Sequence, residues 1–149
     1  MKYTLIFLVF LGCSSNVKDT FNSVELTSSK GEKLYVNSLN WGVTDDHQIT
    51  AISSRKDRVR ERTDTLGVAK GLEPFLYSFN NDTLRLFFNN SKTYEIKEKF
   101  KTITVKYLVL NAKNYKNLRQ KAYDNNGYYA IPKRENVDYP ADMPIGQKK

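Results

Sequence analysis

The sequence predicts a mainly β fold, an antiparallel β-sandwich or small β-barrel with one short C-terminal helix. Three observations lead there. Apolar residues recur with period two over most of the chain, the pattern of strands half-buried on a sheet. Asn, Asp and Gly punctuate those runs as turn formers do. Helical spacing of apolar residues stands out only near the end, between Ala112 and Tyr123.

Taken in order, LYVNSLNW (Leu34 to Trp41) alternates cleanly. Tyr35, Asn37, Leu39 and Trp41 share one face, and Leu34 and Val36 take the other. QITAIS (Gln48 to Ser53) is short and β-branched, with Ile49 and Ala51 opposite Thr50 and Ile52. PFLYSFNNDTLRLFF (Pro74 to Phe88) carries the clearest signal: Phe75, Tyr77 and Phe79 alternate, then Leu84, Leu86 and Phe88. Asn80, Asn81 and Asp82 between them tolerate left-handed backbone, so the segment predicts a β-hairpin with a short loop.

In TYEIKEKFKTITVKYLVLN (Thr93 to Asn111), Tyr94, Ile96 and Phe100 face one way; from Ile103 the apolar residues move to odd positions. That change of phase predicts either a tight turn near Phe100 to Thr102 or a bulge in one long bent strand. Asn111 can cap a helix over AKNYKNLRQKAY, whose Lys and Arg crowd the negative end of its dipole. Asp124 to Gly127 stop it. With these elements we expect about six to eight strands in one domain over residues 24–131, followed by an extended or disordered tail over 132–149.

Composition narrows the chemistry. Twenty-four Lys and Arg against sixteen Asp and Glu give a net charge of +8. Such a charge attracts anionic groups with little specificity. There is one Cys and one His, no G-x-S-x-G, and no phosphate-binding glycine loop. The pattern therefore argues against an enzyme, and no cofactor is expected.

Two segments concentrate functional side chains. WGVTDDHQ (Trp41 to Gln48) holds the one Trp, the one His and the adjacent carboxylates Asp45 and Asp46. Asp45, Asp46 and His47 could serve a metal-assisted hydrolase. Zinc, however, wants three or four converging ligands, and neighbouring residues on a strand point apart, so a solvated turn is the expectation and no metal site is assigned. RKDRVRER (Arg55 to Arg62) offers Arg55, Lys56, Arg58, Arg60 and Arg62 against Asp57 and Glu61. Arginine forks suit phosphate and carboxylate. These five are the candidate ligand-binding residues, carried in a long polar connection between Ser53 and Gly71. Lys97, Lys99 and Lys101 look like a charged strand face that guards a sheet edge. Tyr128 and Tyr129 are candidates for stacking on sugars, as tyrosines do in carbohydrate-binding modules.

The first residues bear on location. Lys2 precedes an apolar run from Leu5 to Leu11, followed by Gly12, Cys13 and polar Ser14, Ser15 and Asn16. A basic start, about 7–15 apolar residues and a small residue before the cut make a secretory signal; a membrane span needs about 20. Phe10-Leu11-Gly12-Cys13 resembles the lipobox of bacterial lipoproteins, with Phe10 where the family usually places a smaller aliphatic. The resemblance implies removal of the signal peptide, residues 1–12, and attachment of acyl chains to Cys13. It also implies a membrane-anchored, exported protein. Ser rather than Asp at position 14 goes, in that family, with the outer membrane facing the periplasm. Acylation would also consume the lone thiol, which could form no disulfide within the chain. Residues 13–23 would then be the lipidated N-terminus and a flexible tether.

The expected partners follow from that address: the membrane through its acyl chains, and another envelope protein or an anionic polymer, but no nucleic acid. The function expected is a protein-binding or accessory module of the cell envelope. The alternative is a module that binds anionic polymers or glycans through the basic loop.

Overall fold

The computed structural model describes residues 18–133, and within them seven strands and one helix. The strands are β1 (Thr20–Thr27), β2 (Lys33–Trp41), β3 (His47–Ser53), β4 (Ala69–Lys70), β5 (Leu76–Asn80), β6 (Thr83–Asn89) and β7 (Thr104–Leu110). The helix is α1 (Ala112–Tyr123). They make two sheets, ordered β1-β2-β3-β4 and β5-β6-β7, that remain separate and do not close into a barrel.

Alternation along each strand decides what it buries. Leu34 and Val36 of β2 and Ile52 of β3 share one core with Tyr77 of β5 and Leu84, Leu86 and Phe88 of β6. The opposite face of the second sheet carries Leu76 and Phe87, which pack with Ala122 of α1 and the half-buried Leu118. The opposite face of the first sheet carries Leu39, Ile49 and Ala51; its cover is a loop, through Val59.

The hairpin at Asn80–Asp82 forms as expected. Asn81 and Asp82 have φ of 48° and 53°, the two-residue turn whose twist matches the flanking strands. The helix also spans the expected residues, with the Asn111 side chain accepting from the Asn114 N–H.

Three features depart from expectation. First, β7 lies parallel to β6, with Thr83 opposite Thr104. Parallel neighbours need a long crossover, and residues 90–103 supply it. Second, that crossover is neither a hairpin nor a bent strand. Tyr94 and Ile96 are buried in the shared core, and side-chain hydrogen bonds replace a ladder. The Tyr94 hydroxyl accepts from the Ile52 N–H at 2.9 Å, where β4 no longer pairs with β3. Glu98 accepts from the Ser53 hydroxyl and the Ser54 N–H. Glu32 accepts from the Lys101, Thr102 and Ile103 N–H groups and the Thr102 hydroxyl. The carboxylate thus satisfies backbone donors that a strand partner would otherwise take. Lys97, Lys99 and Lys101 accordingly project from a crossover, not from a strand face. Third, β1 begins at Thr20, inside the stretch read as tether, because Phe21 packs beside Leu39 and Trp41.

These connections set the two ends of the first sheet apart. At one end, Asp82 accepts from the Ser29 N–H and hydroxyl and so ties the β1–β2 turn to the β5–β6 turn. The other end is where β1 starts, β2 finishes and β3 starts, Thr20 lying opposite Asn40 and Trp41 opposite His47.

Candidate functional site

The register of β2 and β3 puts Trp41 and His47 side by side on the outer face of the first sheet. Their rings stack with centroids 5.5 Å apart and planes 22° from parallel. Next along the same face, Ile49 is paired with Lys70 of β4. Arg62 reaches this group from the long loop, its guanidinium carbon 5.4 Å from the centre of the Trp41 ring. Together with Asp46, Thr65 and Gly71 they line an open cleft of about 300 Å³.

Val59 holds the loop over the sheet. It is fully buried among Leu39, Ile49 and Ala51, the one aliphatic side chain in RKDRVRER. Its φ is 57°, a conformation that β-branched residues seldom adopt. Asp64 stabilises that turn, accepting from the Val59 N–H at 2.9 Å and from Arg58 Nε at 2.8 Å. Asn37, buried beneath the loop, donates to the Arg55 carbonyl. The connection between Ser53 and Gly71 is therefore packed against the sheet along part of its length.

Arg62 is tied to the residue that precedes β1. Its Nε donates to Asp19 Oδ2 at 2.8 Å, and Nη2 donates to the other oxygen. Hydrogen bonding to Arg62 lowers the Asp19 pKa, and the same bonds raise that of Arg62. Both side chains remain partly solvated. Gly42 is required by Asp46: its φ is 104°, and a Cβ there would stand 1.9 Å from Asp46 Oδ1. The Asp46 carboxylate lies against the bare Cα and stays 3.9 Å from His47 Nε2.

The five basic residues of the loop do not converge. Arg55 pairs with Asp57 at 3.2 Å and Arg58 with Asp64, while Arg60 lies over the Phe21 ring. Arg55 and Arg60 border a separate hollow with Asp57, Glu61 and Asp64, where carboxylates outnumber arginines. Lys56 is exposed. Only Arg62 enters the cleft with Trp41.

The other candidates fall elsewhere. Tyr128 and Tyr129 are half-buried, Tyr128 edge-on to Phe87 on the helix side of the second sheet and Tyr129 against Tyr77 of the shared core. Among the described residues no group of three or more His, Cys, Asp or Glu side chains is placed to hold a metal. Cys13 and the apolar run before it lie outside the described residues. Among those described, no helix is long and apolar enough to cross a membrane.

Comparison with known proteins adds no relative. No family model, curated protein or solved structure matches the chain.

What the cleft can do follows from its lining. Arg62 and Lys70 can receive a phosphate or carboxylate, Asp46 an amine, and the Trp41–His47 stack the flat or apolar body that carries them. Sequence alone flagged Trp41, Asp46, His47 and Arg62 but split them between two segments, and missed Lys70. Strand alternation extended through the 42–46 turn would have placed Trp41 and His47 on one face; nothing local marks Lys70.

Proposed function

We propose that the chain is a lipid-anchored, non-enzymatic accessory module of the cell envelope. In this reading acyl chains on Cys13 hold it to a bilayer, and the Trp41–His47–Arg62–Lys70 cleft is its binding surface. The convergence of two cations, a carboxylate and an aromatic stack at the chain's exit toward Cys13 carries the proposal. Charge pairing within the loop weighs against a polyanion lying along Arg55 to Arg60, because three of its arginines already meet carboxylates or an aromatic ring.

The experiment is the intact mass of the chain extracted from membranes of the cells that make it. Loss of residues 1–12 with a diacylglycerol-bearing, acylated Cys13 is expected. A soluble chain whose Cys13 is unmodified, or one that retains Met1, would overturn the anchoring.

A further inference from the structure

Aliphatic side chains are left in water on the turns that carry the cleft's lining residues. Val43 is 87% exposed and Leu66 is 86%, well beyond the ordinary run of surface aliphatics, and Leu72 is 56% exposed. They come from three separate turns, yet each adjoins residues that line the cleft: Val43 lies between Trp41 and Asp46, Leu66 follows Thr65, and Leu72 follows Gly71. Val43, in the turn between β2 and β3, and Leu72, just after β4, thus stand at the same end of the first sheet, whereas Leu66 lies before β4, its carbonyl accepting from Arg58. A grouping of that kind marks an interaction surface.

The chain itself indicates what covers it. β1 starts at this end, and the Asp19–Arg62 pair fixes its entry beside the cleft. Only six residues, 14–19, separate Cys13 from β1. Fully extended they span at most about 20 Å. On the proposed anchoring of Cys13, on which this inference rests, the cleft end cannot stray far from the bilayer surface. Charge selects the kind of lipid. Lys18, Arg62 and Lys70 stand against Asp19, Asp45 and Asp46, so this end is balanced although the chain as a whole is strongly basic. A purely anionic surface would meet as many repulsions as attractions, whereas a zwitterionic headgroup meets both signs.

We infer that this end of the sheet docks on the membrane that holds Cys13. Val43 and Leu72 enter the headgroup layer, and the cleft beside them takes the phosphate and primary amine of a phosphoethanolamine headgroup. Arg62 and Lys70 receive the phosphate, and Asp46 with the Trp41 face receives the ammonium. Aliphatic side chains seated at the headgroup boundary supply the apolar part of the attraction. The ligand phosphate competes with Asp19 for the Arg62 fork, so headgroup binding loosens the contact between the chain's entry and the loop.

Trp41, the one tryptophan, reports directly. The full lipidated chain is reconstituted into phosphatidylethanolamine–phosphatidylcholine vesicles with a nitroxide-headgroup lipid, and in parallel titrated in detergent with O-phosphoethanolamine. Expected are quenching of Trp41 in vesicles that survives added salt, loss of that quenching in the Val43→Asp, Leu72→Asp double variant, and a change in Trp41 emission in detergent that Lys70→Gln removes. Emission that responds to phosphoethanolamine without quenching in vesicles overturns the docking and leaves the cleft as a binding site. No response in either arm overturns both. A response to an acidic polysaccharide, with vesicles inert, assigns the surface to a polymer and refutes the membrane as its partner.

Discussion

Replacing Val59 tests whether the basic loop is part of the fold. Its side chain is inaccessible to solvent and packs on Leu39, Ile49 and Ala51. Val59→Ala deletes two buried methyl groups at about 0.8 kcal/mol each. Incomplete collapse of the vacated space brings the loss to about 2 kcal/mol. Val59→Gly deletes one carbon more and adds backbone freedom to the unfolded chain, costing about 0.5–1 kcal/mol. Against that, glycine accepts the positive φ of 57°, relieving about 1–2 kcal/mol of left-handed strain. The two variants should therefore be about equally destabilised, whereas at an extended position glycine would be clearly the worse. Thermal unfolding followed by far-UV circular dichroism reads this as a fall of about 6–10 °C for each, taking about 3–5 °C per kcal/mol at this size. If both variants melt within about 2 °C of the parent, the loop is not docked and the cleft loses its Arg62 wall; that is the small effect expected of ordinary surface substitutions. If glycine is much the worse, the left-handed turn is wrong.

Other perturbations probe the connections that frame the site. Tyr94→Phe removes one oxygen and leaves the Ile52 N–H buried without its acceptor; a loss of about 1–3 kcal/mol in urea unfolding is expected, and a neutral result would remove the crossover from the β3 edge. Glu32 is held down to a pKa of about 2, chiefly by the Lys101 N–H. Because its folded value is depressed, the stability it contributes is complete above about pH 4.5 and drains away as pH falls toward 2. The melting temperature of the parent should thus fall more steeply over that interval than that of Glu32→Gln, and parallel curves would show that the carboxylate is not engaged. Gly42→Ala places a Cβ on Asp46 Oδ1 and should displace that carboxylate while β2 and β3 stay paired; unchanged Asp46 and His47 resonances would contradict the cleft geometry.

The strands of the two hairpins, the Asn81–Asp82 turn and the helix were legible because each depends on contacts close in sequence: period-two burial, left-handed Asn and Asp, an Asn cap. The crossover was not. Its apolar residues alternate as in a strand, yet Glu32, distant in sequence, takes three of its backbone N–H groups, while its own Tyr94 and Glu98 side chains bond backbone at the end of β3, so no ladder is needed. The parallel placement of β7 follows from that long path and has no local sign. Arginine-rich composition drew attention to the loop but hid its organisation, since Val59 looks incidental among five basic residues until it is seen beneath them. The cleft was half legible. Trp41 and His47 needed a register, and Lys70 needed a two-residue strand too short to announce itself.

The cleft as binding surface is tested most directly by following side-chain NMR signals of the full chain during titration with O-phosphoethanolamine. The Trp41 indole N–H, the His47 ring and the Arg62 guanidinium should shift together along one saturable curve, with Arg55 and Arg60 unmoved. Saturable shifts at Arg55 and Arg60 with the Trp41 signal still would place binding on the loop, and the absence of any saturable shift would leave the cleft without the ligand proposed for it.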